Sequence, residues 1–251
     1  LSSNPVFARI TIAQLISFVL LASKLKKEIL LAQPSNTALD HAPEFLPSYM
    51  IAFLSSACSM SNEEVKECWK VIQEEVWSFD ERVGSFEHCQ KSFTKHGRVC
   101  GLSSPHHLWP PTMKCITMSC PTAQKLQRVE QREVTLYTLG YGPVTMESFH
   151  LKCEVCGINY HHNYFVKDGM RFYYDGKVPD ILQLGEHQFV QVGLVKLWIY
   201  NMNVAWMSAS NCANTYNLLW PDEQSLTAGN ARFHGPLTHN HVYDAFTLLS
   251  L

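Results

Sequence analysis

The chain has 251 residues, 46% of them hydrophobic and 17% charged, which is the balance of a globular protein with a heavy interior and room for one or two domains. A formal net charge of −2 argues against a broadly basic nucleic-acid binder and leaves any such contact to a local patch. Nine cysteines, unevenly spread and without an N-x-S/T pattern anywhere, favour a reducing compartment and metal ligation over a disulfide framework.

The chain starts at Leu1 rather than Met and reads as a fragment or truncated gene model. The apolar run Ile16–Ala22 is too short to span a bilayer, and Lys24, Lys26 and Lys27 come after it rather than before it as a signal's charged region would. Residues 11–33 therefore read as a largely buried helix, capped by Thr11 and stopped by Pro34. Pro34–Pro47 is linker-like, and Ser48–Ser55 is a short apolar helix. Ser61-Asn-Glu-Glu64 starts a longer helix to about Trp77, with Val65, Cys68, Trp69, Ile72 and Val76 on its apolar face. Cys68 on that face reads as core. Residues 82–99, with His88 and Cys89, are ambiguous. His106 and His107, beside Leu108-Trp-Pro-Pro111, read as loop rather than as metal ligands.

The stretch from Lys114 to Val166 organises the rest of the chain. Cys115 and Cys120 have four residues between them, and Cys153 and Cys156 have two, with Gly157 next. Both spacings offer two thiolates from one turn, and two such turns complete a tetrahedral four-cysteine Zn2+ site. Between the pairs, Val134–Leu139 and Val144–Leu151 flank the turn residues Gly140-Tyr-Gly-Pro143 and predict a β-hairpin. Pair, hairpin, pair is the plan of a zinc ribbon. A second hairpin is predicted at Tyr160–Val166 and Met170–Tyr174 around Asp168-Gly169, which gives a four-stranded antiparallel sheet with zinc at one end. Helices are predicted over 186–207, 208–219 and 238–251, with Cys212 in the middle one. The expected fold is α+β: an N-terminal helical region over 1–100, then a cysteine-cluster domain over 101–251. In that domain a zinc-ribbon-like antiparallel sheet (about 108–175) carries helices (about 186–251) packed on it.

A family resemblance rests on longer strings. C-E-V-C-G-I-N-Y-H-H-N-Y-F-V from Cys153, R-F-Y-Y-D-G-K-V-P-D-I-L-Q-L-G-E-H-Q-F-V from Arg171 and W-M-S-A-S-N-C-A-N-T-Y-N from Trp206 resemble the fifth type of CxC-like cysteine cluster associated with fungal KDZ (Kyakuja–Dileera–Zisupton) transposases. L-W-P-P-T-M-K-C at Leu108–Cys115, V-T-L-Y-T-L at Val134–Leu139 and the closing run from Thr238 extend the likeness over residues 108–251. The resemblance implies zinc bound by Cys115, Cys120, Cys153 and Cys156, a nuclear location, and an accessory role in DNA binding or targeting beside other transposase domains. Tyr160, His161, His162 and Asn163, in the family's Y-H-H-N-Y string, are expected to pack against the knuckle and support it; the functional alternative is nucleic-acid contact or an extra ligand. Lys114, Lys125, Arg128, Arg132 and Lys152 form the candidate basic patch, diluted by Glu130, Glu133, Glu147 and Glu154. The alternative is a zinc-stabilised protein-interaction scaffold from a degenerate or domesticated element. No small-molecule substrate or membrane partner is expected, nor enzymatic activity: four thiolates leave a metal no open coordination position, and no Ser/His/Asp motif, phosphate-binding Gly loop or paired-carboxylate motif stands out.

Overall fold

A computed structural model describes residues 5–34, 41–80, 86–102, 107–118, 120, 125–176, 178–221 and 235–250; the side chains of residues 86–88 and 98 lie outside the description. It divides the chain into two units, Leu1–His106 with Met113–Gln127, and His107–Thr112 with Arg128–Leu251.

The first unit is helical. Its helices are α1 (Val6–Arg9), α2 (Ile12–Lys24), α3 (Lys26–Leu31), α4 (Ser48–Cys58), α5 (Asn62–Ser78) and α6 (Phe86–Ser92). A π-turn at Phe93–Gly97 and a 3-10 turn at Arg98–Cys100 succeed α6, where the sequence is ambiguous. Thr11 caps α2 reciprocally: its hydroxyl accepts from the Gln14 amide at 3.2 Å, and its own amide donates to the Gln14 side chain at 2.8 Å. Ser61 and Glu64 repeat the device at α5. The predicted single helix over 11–33 is broken at Leu25, whose backbone (φ −95°, ψ 3°) separates α2 from α3. The apolar face of α5 is the one its spacing predicts, with Val65, Cys68, Trp69, Ile72 and Val76 all buried. These pack with Phe18, Leu21, Met50, Phe53 and Phe93 in one cluster. Each such side chain contributes roughly 1.5–3 kcal/mol by burial.

The second unit is a mixed sheet carrying helices. Its strands are β1 (His107–Leu108), β2 (Gln127–Thr138), β3 (Gly142–Lys152), β4 (Asn159–Tyr160), β5 (Tyr164–Lys167), β6 (Met170–Tyr173), β7 (Ile181–Gln183) and β8 (Gln188–Gln191), in the order β6-β5-β4-β3-β2-β8-β7, with β1 also on β3. Strands β2 and β3 are neighbours joined by three residues, a link short enough only for an antiparallel hairpin. Gly142 closes it at φ +70°. Asp168 and Gly169 both take positive φ (51° and 77°), the I′ turn that matches strand twist, and join β5 to β6.

The sheet is not wholly antiparallel. Strand β1 pairs in parallel with β3, and β8 in parallel with β2. Residues 186–191, predicted as the start of a helix, instead lead into and form β8, with Phe189 and Val190 fully buried. A short apolar run fits a buried strand as well as a helix, and here pairing with β2 and β7 decides. The next helix is α7 (Val192–Ala205), then α8 (Ala209–Leu219) and α9 (His239–Leu249). Thr238 caps α9, and the Asn217 side chain bonds both the amide and the carbonyl of Leu237, fixing the chain as it enters that helix. Tyr137 and Val190 from the sheet join Val195, Trp198, Cys212 and Val242 in the unit's helical core. The fold is α+β, with helices N-terminal and C-terminal to the sheet.

Candidate metal centre

The Cys153–Cys156 turn is built by its own backbone. At the end of β3 the Cys153 amide donates to the Ile158 carbonyl at 3.0 Å, and the Gly157 amide donates back to the Cys153 carbonyl at 2.8 Å. The Cys156 amide points at the Cys153 sulfur at 3.4 Å. Gly157 sits at φ +68°, and a Cβ built on it meets nothing within 4 Å. The turn thus needs glycine for its backbone conformation and not for space. In the other pair, the Cys120 amide donates to the Thr117 carbonyl at 2.9 Å. The sulfurs of Cys115, Cys120, Cys153 and Cys156 lie within 4.8 Å of one another and could hold a metal ion. Tetrahedral thiolate coordination at a metal–sulfur distance of about 2.3 Å needs sulfurs about 3.8 Å apart, so the donor set fits with a small contraction. Among the described residues no other cluster of three Cys, His, Asp or Glu side chains brings its donor atoms as close.

The Y-H-H-N string lies across β4 and the turn after it. Tyr160 is fully buried. His162 Nδ1 is 3.0 Å from the Trp109 carbonyl. The Asn163 amide nitrogen donates to the Ile181 carbonyl at 2.9 Å, and its oxygen accepts from the Gln183 amide at 2.6 Å, holding β7. His161 is sandwiched between the His150 ring (centroids 4.5 Å apart) and the Tyr164 ring (4.7 Å). Burial pushes its pKa down to about 4, so the stacked imidazole is neutral at neutral pH. His150, absent from the residues the sequence singles out, is held at 3.0 Å by the Asn159 side chain, and burial lowers its pKa too. Its one sequence signal is its place on the β3 face opposite the buried Phe149 and Leu151.

The candidate basic residues differ in what they touch. The Lys125 ammonium donates to the Leu30 and Gln33 carbonyls, both at 2.6 Å, at the end of α3, and burial lowers its pKa. Arg132 donates to Glu130 at 2.6 Å and lies 3.6 Å from Glu186. That hydrogen bond holds the Glu130 carboxyl below the usual carboxylate range. Arg128 is exposed, with its guanidinium 5.9 Å from the centre of the Phe149 ring. Lys114 is exposed and Lys152 half-buried. His107, expected in a loop, lies in β1 and is buried 3.4 Å from Glu147, its partner in register on β3. His106 lies outside the described residues.

Comparison with known families is specific to this region of the chain. Residues 103–220 match the CxC5 like cysteine cluster associated with KDZ transposases. No curated protein and no solved structure matches the chain. The CxC5-like segment takes in both cysteine pairs, every strand, α7 and α8. It stops at Trp220, short of the closing run from Thr238 that the sequence also likens to the family. No helix among the described residues is long and apolar enough to cross a membrane.

Proposed function

We propose that Cys115, Cys120, Cys153 and Cys156 hold one Zn2+ as thiolates, and that the chain is an accessory module of a KDZ-type transposase, acting in DNA binding or targeting in the nucleus. The observation that carries this reading is the convergence of the four sulfurs within 4.8 Å inside a segment that matches the KDZ-associated cysteine cluster. A zinc ion with four thiolates has a closed shell, so its role is to fix the turns and not to activate water. The Cys153–Gly157 turn sets two ligands, and the His161 stack and Asn163 clamp stiffen the strands behind it. Partners are then DNA or other transposase domains.

A second reading, a protein-interaction scaffold, gains support from the engagement of Lys125 with backbone carbonyls and of Arg132 with Glu130. Both cations are thereby partly neutralised for phosphate contact. Two measurements separate the readings. Metal analysis should return about one equivalent of zinc, lost in Cys153→Ser and Cys156→Ser; undiminished zinc in both would remove these residues as ligands. A gel-shift titration should then show weak binding with little sequence preference that falls steeply with salt, since bound cations displace counterions from the phosphates. No shift at low salt would favour the scaffold.

A further inference from the structure

The second unit contains a cavity of about 270 Å³ whose lining includes none of the cysteines. Its walls come from the end of β6 and the loop after it (Tyr173, Tyr174, Asp175, Val178), from Leu182 on β7, and from the last turn of α9 at Leu248 and Leu249. The volume is below that of a typical small-molecule pocket and suits a single large side chain. Asn163 also lines it, but its amide is committed at both ends to β7, so it forms a fixed wall.

We propose that this cavity takes a lysine or arginine side chain from a partner peptide. Three features point to a cation on an alkyl stem. Asp175 is the one charged group among the described lining residues, and it is exposed. Tyr173 and Tyr174 line the cavity with it. The Tyr174 hydroxyl donates to the His161 carbonyl at 3.1 Å, and the Tyr173 ring packs edge-on against Tyr164 at 6.1 Å, so both rings are held in place before anything binds. Val178, Pro179, Leu182 and Leu248 supply an apolar wall for the methylenes of a long basic side chain, whose charged end reaches the rim. Cations are attracted to aromatic faces, and this sheet already shows the contact: the Arg171 guanidinium lies 4.1 Å over the Tyr164 ring. A carboxylate at the rim repels a phosphate backbone, which sets this surface apart from any DNA contact. The inference therefore holds whether or not the chain binds DNA.

The test uses the full zinc-loaded chain, 15N-labelled and titrated with blocked Gly-Lys-Gly, Gly-Arg-Gly and Gly-norleucine-Gly tripeptides and with guanosine. Saturable shifts confined to residues 173–182 and the end of α9 are expected with a basic tripeptide; which of the two binds more tightly identifies the head group. Asp175→Asn, at an exposed position, should weaken that binding about three- to tenfold, and Tyr173→Leu by a similar factor. Equal binding of the norleucine peptide, saturation by guanosine alone, an Asp175→Asn variant that binds as well as wild type, or no saturation by roughly 10 mM would each overturn the proposal.

Discussion

Gly157→Ala isolates the contribution of the Cys153–Cys156 turn to metal binding. The residue sits at φ +68°, and a Cβ there meets nothing within 4 Å, so the substitution adds no clash. Its cost is the left-handed penalty of an L-residue, about 1–2 kcal/mol. If the metal holds the turn in this shape and the turn relaxes when the metal leaves, that cost falls on affinity, which should drop about 5- to 30-fold. Gly157→Asn should recover most of the loss, because asparagine tolerates the left-handed region. Gly169 supplies the control: its φ is +77° and its surroundings are equally open, but it lies in the β5–β6 turn. Gly169→Ala should lower the melting temperature and leave metal affinity unchanged. Competition against a chromophoric zinc chelator at fixed pH, with thermal melts in parallel, measures both. Equal affinity losses at Gly157 and Gly169 would show that metal binding merely tracks overall stability. No loss at Gly157 would show that the turn keeps its shape without the metal, and either result refutes the reasoning.

Gly142→Ala combines two costs, since Gly142 is at φ +70° and its Cβ would lie 2.8–3.0 Å from Trp220 ring atoms. Strain and overpacking together predict about 2–5 kcal/mol of destabilisation in a denaturant titration, with Gly140→Ala, which meets nothing within 4 Å, nearly silent. His161 predicts a pH dependence. Its folded pKa is depressed to about 4 by burial, so as pH falls below its ordinary value near 6.5 the unfolded chain takes up the proton first. Stability should therefore fall between about pH 6.5 and 4 and level off below. His161→Phe keeps a ring in the stack and removes the titration, so its melting temperature should vary less with pH than wild type. An unchanged slope would mean that other groups set it.

How much of the fold is legible in the sequence depends on how local each signal is. The caps at Thr11 and Ser61 depend on residues three apart, and both form as read; the last helix starts where its run does, with Thr238 as its cap. The Asp168-Gly169 turn likewise needs only its own two dihedrals. The spacing of the cysteine pairs points to turns that present sulfur, and the four sulfurs do converge. Strand β8 is hidden because Phe189 and Val190 are buried by pairing with residues about fifty positions away on β2, which no local period records. Strand β7 is hidden for the same reason, its three residues being defined by β8 and by the Asn163 side chain. The surroundings of Lys125 and Arg132 are equally non-local: composition gives their charge, and only the fold gives the carbonyls and carboxylates that absorb it.

Eight of the nine cysteines fall into two groups by their surroundings. None of them forms a disulfide. Cys58 and Cys68 lie in the first unit's core, where burial pushes both thiols up to about 12; burial raises Cys89 and Cys212 as well. Burial that raises a thiol's pKa leaves less thiolate for a metal or for nucleophilic attack, and these four pack as small apolar side chains. Cys115, Cys120, Cys153 and Cys156 are different because they face one another. Two thiolates about 4 Å apart repel by about 1 kcal/mol even in water, and more where solvent is partly excluded, so four of them ionise together only around a cation. If the four hold zinc as proposed, metal uptake releases protons and affinity rises with pH. Core cysteines lack that option: their burial opposes charge and no partner repays it. The same residue type thus serves packing in one place and could hold a metal in another, and sequence spacing distinguishes the two because only close pairs can turn both sulfurs toward one point.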